Sequence, residues 1–189
     1  MTAARGGTPL ERMQRGAALA LVVGAIAVLG WRGATSPEVV WIWQHGSAAW
    51  ITDPRPVDAA VQQWGRSQVP VARFHAHFEL DEVPPQARLT LRAARAWRVI
   101  VNGSPLGASP DPDPAWRRDR TLEIAESLRS GPNEIAVEVC NPRGPPLLRA
   151  ELAHPGGRLG TDTSWTVSID EGAPVQAVLP DGTRAHPSA

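Results

Sequence analysis

Between Val71 and Trp165, apolar and polar residues alternate in short runs separated by turn residues. In VARFHAHFEL, Phe74, Ala76, Phe78 and Leu80 fall on one side, and Arg73, His75, His77 and Glu79 on the other. This period of two is that of an antiparallel strand with one face on a core and the other in water. Further strand-like runs follow at ARLTLRA, at RAWRVIV, at EIAVEV, where Ile135, Val137 and Val139 share a face, from Leu147 to Leu152, and from Trp165 to Ile169. VVWIWQ at 39–44 reads as a first strand ahead of them.

Turn chemistry separates the runs. Asn102-Gly103 supplies the positive φ values of a tight hairpin turn. Pro84-Pro85 and Gly131-Pro132-Asn133 interrupt other pairs, and SPDPDP at 109–114 is not strand interior, because each proline lacks a ladder donor. Residues 46–70 read as a long irregular connection, with turns at Asp53-Pro54 and Arg55-Pro56 and one or two helical turns between Val57 and Gly65. The stretch from Gly172 to Ala189 is polar and reads as a flexible tail. Seven or eight short strands at this spacing predict an all-β antiparallel sandwich.

The N-terminus follows another pattern. Gly16 to Trp31 is uncharged and follows Arg5, Arg12 and Arg15. As a helix it is roughly 24 Å long, against a hydrocarbon core of about 30 Å; snorkelling of Arg32 lets Gly33 and Ala34 complete a span. One reading is an uncleaved signal anchor with its basic end inside. The other is a cleaved signal peptide, since Ala25-Ile26-Ala27 is an A-x-A triplet. The apolar run continues past the triplet, which favours the anchor. Both readings place the sandwich outside the cytoplasm, in the periplasm or beyond. The expected organisation is a cytoplasmic N-terminus at 1–15, a transmembrane anchor at 16–34, a sandwich at 35–171 and the tail at 172–189.

Composition narrows the partners. The 189 residues carry zero net charge, and all nineteen basic residues are arginine, interspersed with acids, so nucleic acid is excluded as a partner. The single cysteine, Cys140, rules out an internal disulfide and reads as a small strand hydrophobe.

An ordered set of motifs adds a resemblance. It comprises Ala87-x-Leu89-x-Leu91, then Trp97-Arg98-x-x-Val101-Asn102-Gly103-x-Pro105-x-Gly107, Trp116, and Leu128-x-x-Gly131-x-Asn133-x-Ile135-Ala136-Val137. Asn141-x-x-Gly144-Pro145-x-Leu147-Leu148 and Asp162-x-Ser164-Trp165 complete it. Over residues 38–170 the chain resembles galactose-binding-like jelly-roll domains, and most closely the N-terminal accessory domains of bacterial α-L-rhamnosidases and related glycoside hydrolases. The resemblance implies a jelly-roll sandwich and a carbohydrate ligand. Such domains often carry an acidic pair before the strand leading to the Asn-Gly turn; here the stretch is Ala93-Ala94-Arg95-Ala96, without a carboxylate. No catalytic barrel follows the domain in this sequence.

A sugar-binding module needs an aromatic platform flanked by polar groups. Trp50, Trp64 and Trp116 lie in loop-like sequence with polar neighbours and are the candidate platforms. Trp41, Trp43, Trp97 and Trp165 sit in strands and read as packing residues. Asp111 and Asp113 are weak calcium candidates that turn chemistry explains equally well. His75-x-His77 is half a metal site without a third ligand nearby in sequence, and reads as a solvated face. No cofactor and no catalytic residue are expected: no nucleophile elbow is present, and Asp162 and Glu171 lie near turns without apolar surroundings. The functional expectation is a membrane-anchored, extracytoplasmic, non-catalytic carbohydrate-binding module. The alternative is a sandwich that docks another envelope protein, as a remnant of a glycoside hydrolase accessory domain would.

Overall fold

The computed structural model describes residues 9–35, 48–55, 70–109, 118–142 and 144–180. The chain divides into two compact units, 1–41 and 42–189. The first contains one helix, α1 (Pro9–Thr35). Among the described residues no helix is long and apolar enough to cross a membrane. The transmembrane helix expected at 16–34 is therefore not supported, and the uncharged stretch from Gly16 to Trp31 is by itself several ångströms short of a bilayer core.

The second unit is a sandwich of two antiparallel sheets. Its described strands are β1 (Ile51–Thr52), β2 (Val71–Leu80), β3 (Arg88–Ala93), β4 (Ala96–Val101), β5 (Ser104–Ala108), β6 (Arg120–Glu123), β7 (Gly131–Cys140), β8 (Leu147–His154), β9 (Gly157–Gly160), β10 (Thr166–Ile169) and β11 (Val175–Gln176). One sheet has the order β11-β10-β2-β7-β4-β5; the other has the order β1-β8-β3-β6, with β9 also paired to β8. β2 alternates as its sequence predicts: Ala72, Phe74, Ala76 and Leu80 are buried, and Arg73, His77 and Glu79 are exposed. Phe74, Val99, Ile135 and Val137 from the six-stranded sheet share one core with Leu89, Leu91, Leu148 and Leu152 from the five-stranded sheet. Each fully buried side chain of this size contributes about 1.5–3 kcal/mol. Trp97 and Trp165 belong to that core, as their strand positions predict, and Trp165 Nε1 donates to Gly160 O at 3.1 Å.

The structure corrects two local expectations and adds a strand. Part of the connection at 46–70 is sheet: β1 pairs β8, and Ala49 N donates to Thr161 O at 2.8 Å. The flexible tail expected from Gly172 begins instead with β11, which pairs β10, and Val178 bridges Thr52. β9 was not apparent in the sequence because glycines bound its four residues. The strand expected at 39–44 and the helical turns expected at 57–65 lie outside the described residues.

The Asn102-Gly103 turn between β4 and β5 is present, with φ of 49° and 81°. Asn102 also reaches across the fold. Its Nδ2 donates to Ser127 O (2.8 Å) and Asn133 Oδ1 (2.9 Å), and its Oδ1 accepts from Glu134 N (3.0 Å). Asn133, 2% exposed, donates from Nδ2 to Arg129 O and Gly131 O and accepts from Arg129 N. This clasp ties the β4–β5 hairpin to the β6–β7 connection.

Candidate functional site

Register assembles a polar patch on the outer face of the five-stranded sheet. β3 is the central strand here, flanked by β6 and β8. Leu89, Leu91 and Ala93 point into the core, so Thr90 and Arg92 point outward. On β8, Arg149 and Glu151 alternate with buried Leu148, Ala150 and Leu152. Thr90 pairs with Glu151 on one side and Thr121 on the other, and Arg92 pairs with Arg149. Arg92 Nε donates to Asp119 Oδ1 at 2.5 Å, which extends that row beyond the end of β6. Two rows result, Asp119–Arg92–Arg149 and Thr121–Thr90–Glu151, with neighbouring strands about 4.8 Å apart and successive outward residues about 6.6 Å apart along a strand.

A depression of about 150 Å³ lies on these rows, lined by Ala48, Thr90, Asp119, Arg149 and Glu151. Its chemistry suits hydroxyl groups. Carboxylates accept, the guanidinium donates, and the Thr90 hydroxyl does either; Thr90 Oγ1 lies 3.2 Å from Thr121 Oγ1. Arg149 Nε donates to Ala48 O at 3.2 Å, which fixes the guanidinium plane beside the depression. Burial pushes the Arg149 pKa down; Asp119 pulls it back up, and Arg92 pushes it down again. Glu151 Oε1 accepts from Arg158 Nη1 at 3.2 Å.

A larger depression, about 230 Å³, lies on the other sheet between Val71, Ala96, Trp97, Arg98, Ser109 and Glu138. It offers one carboxylate between two guanidiniums: Glu138 Oε1 accepts from Arg73 (2.5 Å), and Oε2 lies 3.5 Å from Arg98. The smaller depression is the better candidate, because its acids, guanidinium and hydroxyl converge on one opening.

The residues singled out by sequence fare unequally. Trp50 is 3% exposed, so neither ring face is open to a sugar, and its role as a platform is corrected. The cause is backbone pairing. Thr161, fully buried, donates its hydroxyl to Ala49 O at 2.5 Å and accepts from Ala150 N at 3.1 Å, drawing the Trp50 segment into the sandwich. Trp64, Trp116, Asp111 and Asp113 lie outside the described residues. His75 and His77 face outward with rings 6.4 Å apart, and His75 Nδ1 lies 2.6 Å from Glu134 Oε1. No group of three metal-ligating side chains occurs among the described residues. Asp162 accepts from both the amide and the hydroxyl of Ser164, a turn role. The β3–β4 turn has Arg95 in the left-handed region with φ 73°. Sequence reasoning missed Thr90, Asp119, Arg149 and Glu151, because only strand register brings them together.

No protein-family model matches the chain, and no curated protein does. Solved structures do. The α-L-rhamnosidase of Streptomyces avermitilis, complexed with L-rhamnose, superposes with TM-score 0.57 and 21% identity over 70% of this chain. The α-L-rhamnosidase of Aspergillus terreus gives 0.51 and 23% over 65%, and the Pleurotus ostreatus lectin in complex with GalNAc gives 0.51 and 18% over 74%. The fold is that of a galactose-binding-like β-sandwich. It resembles domains of the rhamnosidases, of which the chain covers 14% and 16% of the length, and it covers 43% of the lectin. Likeness at this level speaks to fold alone.

Proposed function

We propose that this sandwich is a non-catalytic carbohydrate-binding module, and that its sugar site is the depression on the outer face of the five-stranded sheet. The observation that carries the reading is the convergence of Thr90, Asp119, Arg149 and Glu151 on one opening. The likeness in fold to a lectin solved in complex with GalNAc is consistent with it. Trp116 stands three residues ahead of Asp119 in the sequence, and Trp116→Ala tests it as an aromatic platform. The test is a glycan-array screen of the full chain in detergent, wild type against Asp119→Asn/Arg149→Gln. Specific wild-type binding that the double variant loses, with the fold retained, supports the reading. Equal binding by both moves the site elsewhere, and failure of the wild type to bind any glycan removes the function.

We also propose that the module is exported and held at a membrane by α1. Leu19, Leu21, Val22, Val23, Ile26, Val28, Leu29 and Trp31 are each at least 55% exposed, an apolar surface that a lipid interface can cover without the helix crossing it. Alkaline carbonate extraction of cell membranes tests this. Retention of the chain with its N-terminus intact supports membrane attachment. Release overturns it, and a mature N-terminus at Val28 replaces it with export and cleavage. Recovery of a stoichiometric protein partner from the same membranes, together with a blank glycan array, favours instead a sandwich that docks another envelope protein.

A further inference from the structure

We infer that Asn102 is a site of spontaneous covalent modification: its side-chain amide is hydrolysed when the clasp with Asn133 opens, and the product no longer closes that clasp.

The chemistry belongs to the dipeptide. The backbone nitrogen of the residue after an asparagine can attack the side-chain carbonyl carbon. That nitrogen loses its proton and bonds to Cγ; the Cγ–Nδ2 bond breaks, and Nδ2 leaves with the proton as ammonia. The cyclic imide so formed takes up water and opens to aspartate or to its backbone isomer, isoaspartate. Only water is consumed. A following glycine favours the attack, because a residue without Cβ reaches backbone conformations closed to others. Of the three asparagines in the chain, Asn102 alone precedes a glycine; Glu134 follows Asn133, and Pro142 follows Asn141. Asn102 is half-buried at a hairpin tip whose Gly103 and Ser104 are exposed, so water reaches it.

Four hydrogen bonds hold Asn102 in the closed state. Its backbone N donates to Glu134 O at 3.0 Å. Its Nδ2 donates to Ser127 O at 2.8 Å and Asn133 Oδ1 at 2.9 Å, and its Oδ1 accepts from Glu134 N at 3.0 Å. Turning Cγ onto the Gly103 nitrogen breaks the three side-chain bonds. The rate of hydrolysis therefore follows the fraction of molecules in which the hairpin has opened locally.

The same bonds make the change one-way. An ionised carboxylate accepts and does not donate. After hydrolysis an oxygen takes the place of Nδ2 and faces two acceptors, Ser127 O and Asn133 Oδ1. Asn133 has no amide hydrogen to turn toward it, since its Nδ2 serves Arg129 O and Gly131 O and its Oδ1 accepts from Arg129 N. Among the charged residues beside the clasp, Arg129 directs Nε to Pro132 O, and Glu126 and Glu134 are acids, so the new charge meets no surplus of cations. The isoaspartyl product adds a methylene to the main chain and shifts the hairpin against β7.

The experiment incubates the full chain in detergent at mildly alkaline pH, folded in buffer and unfolded in urea. Peptide mapping by mass spectrometry follows the conversion of amide to acid at residue 102. Folded Asn133→Ala is incubated alongside, and Asn102→Asp is melted against the wild type. Conversion in the folded wild type should be about a hundredfold slower than in urea, as the opening of three ordinary hydrogen bonds implies. Folded Asn133→Ala should convert at least tenfold faster than the wild type, and Asn102→Asp should melt at a lower temperature. Equal conversion in buffer and urea, or a wild-type rate in folded Asn133→Ala, overturns the gating by the clasp. Melting of Asn102→Asp at the wild-type temperature overturns the one-way change, and no conversion even in urea overturns the site itself. Should Asn133→Ala fail to fold, the ratio of rates in buffer and urea and the melting of Asn102→Asp still decide.

Discussion

Arg92 and Arg149 are directly opposed across the β3–β8 pair, two guanidiniums side by side on the outer face of a sheet. Like charges in this position work against strand pairing, and Asp119, bonded to Arg92, counters them. Replacing Asp119 with Asn removes that counter-charge. The expected loss is about 1 kcal/mol, read from the urea midpoint. It should be smaller at high salt, because exposed charges are screened. A loss that salt leaves unchanged would mean that Asp119 acts through packing.

Burial is the main reason the Arg149 pKa is lowered. A cation whose folded pKa lies below its unfolded value weakens the fold at every pH where it is charged in both states. The penalty lifts only as pH rises through the folded value, which for arginine means strongly alkaline solution. Substitution is therefore the practical probe. Arg149→Met keeps the length of the stem, removes the desolvated charge and gives up the bond to Ala48 O, so stability should change by less than about 1 kcal/mol. Glycan binding should fall at least tenfold. The urea midpoint and the array signal, taken together, separate a binding residue from a structural one.

Asn133 carries the largest predicted stability effect. Its amide serves Arg129 O, Gly131 O, Arg129 N and Asn102 Nδ2 from a nearly sealed position. Asn133→Ala strands several of these groups at once, and about 2–4 kcal/mol should be lost. The urea midpoint should fall with the slope unchanged; a changed slope would indicate loss of two-state behaviour instead.

The two tight turns predict opposite signs. Gly103 has φ 81° with open space where a Cβ would stand, so Gly103→Ala costs backbone strain alone, about 1 kcal/mol. Arg95 already bears that strain at φ 73°. Arg95→Gly or Arg95→Asn should raise stability by about 0.5–1 kcal/mol, measured as a rise in melting temperature. A fall would show that the Arg95 side chain supports the turn by a contact of its own.

Sequence and structure agree where the determinant is local. The alternation of Phe74, Ala76 and Leu80 and the Asn102-Gly103 turn read directly, because period and turn chemistry are properties of neighbouring residues. β1, β6, β9 and β11 did not read, since strands of two to four residues owe their form to backbone pairing with β3, β8 and β10. The candidate site was less legible still. Arg92, Asp119 and Arg149 adjoin only through the registers of β3 with β6 and β8, and register is a long-range property. Trp50 misled for the same reason: its polar neighbours suggested a loop, and the buried hydroxyl of Thr161 makes its segment part of a sheet.

The clasp between Asn102 and Asn133 also separates the frame of the sandwich from its outer face. Asn102-Gly103 and Gly131-x-Asn133 are among the motifs by which the chain resembles rhamnosidase accessory domains, and both belong to this internal strut. None of the four residues lines the depression on the sheet face. The strut therefore stands apart from the outward positions of β3 and β8, and a substitution at Thr90 or Arg149 leaves its hydrogen bonds in place.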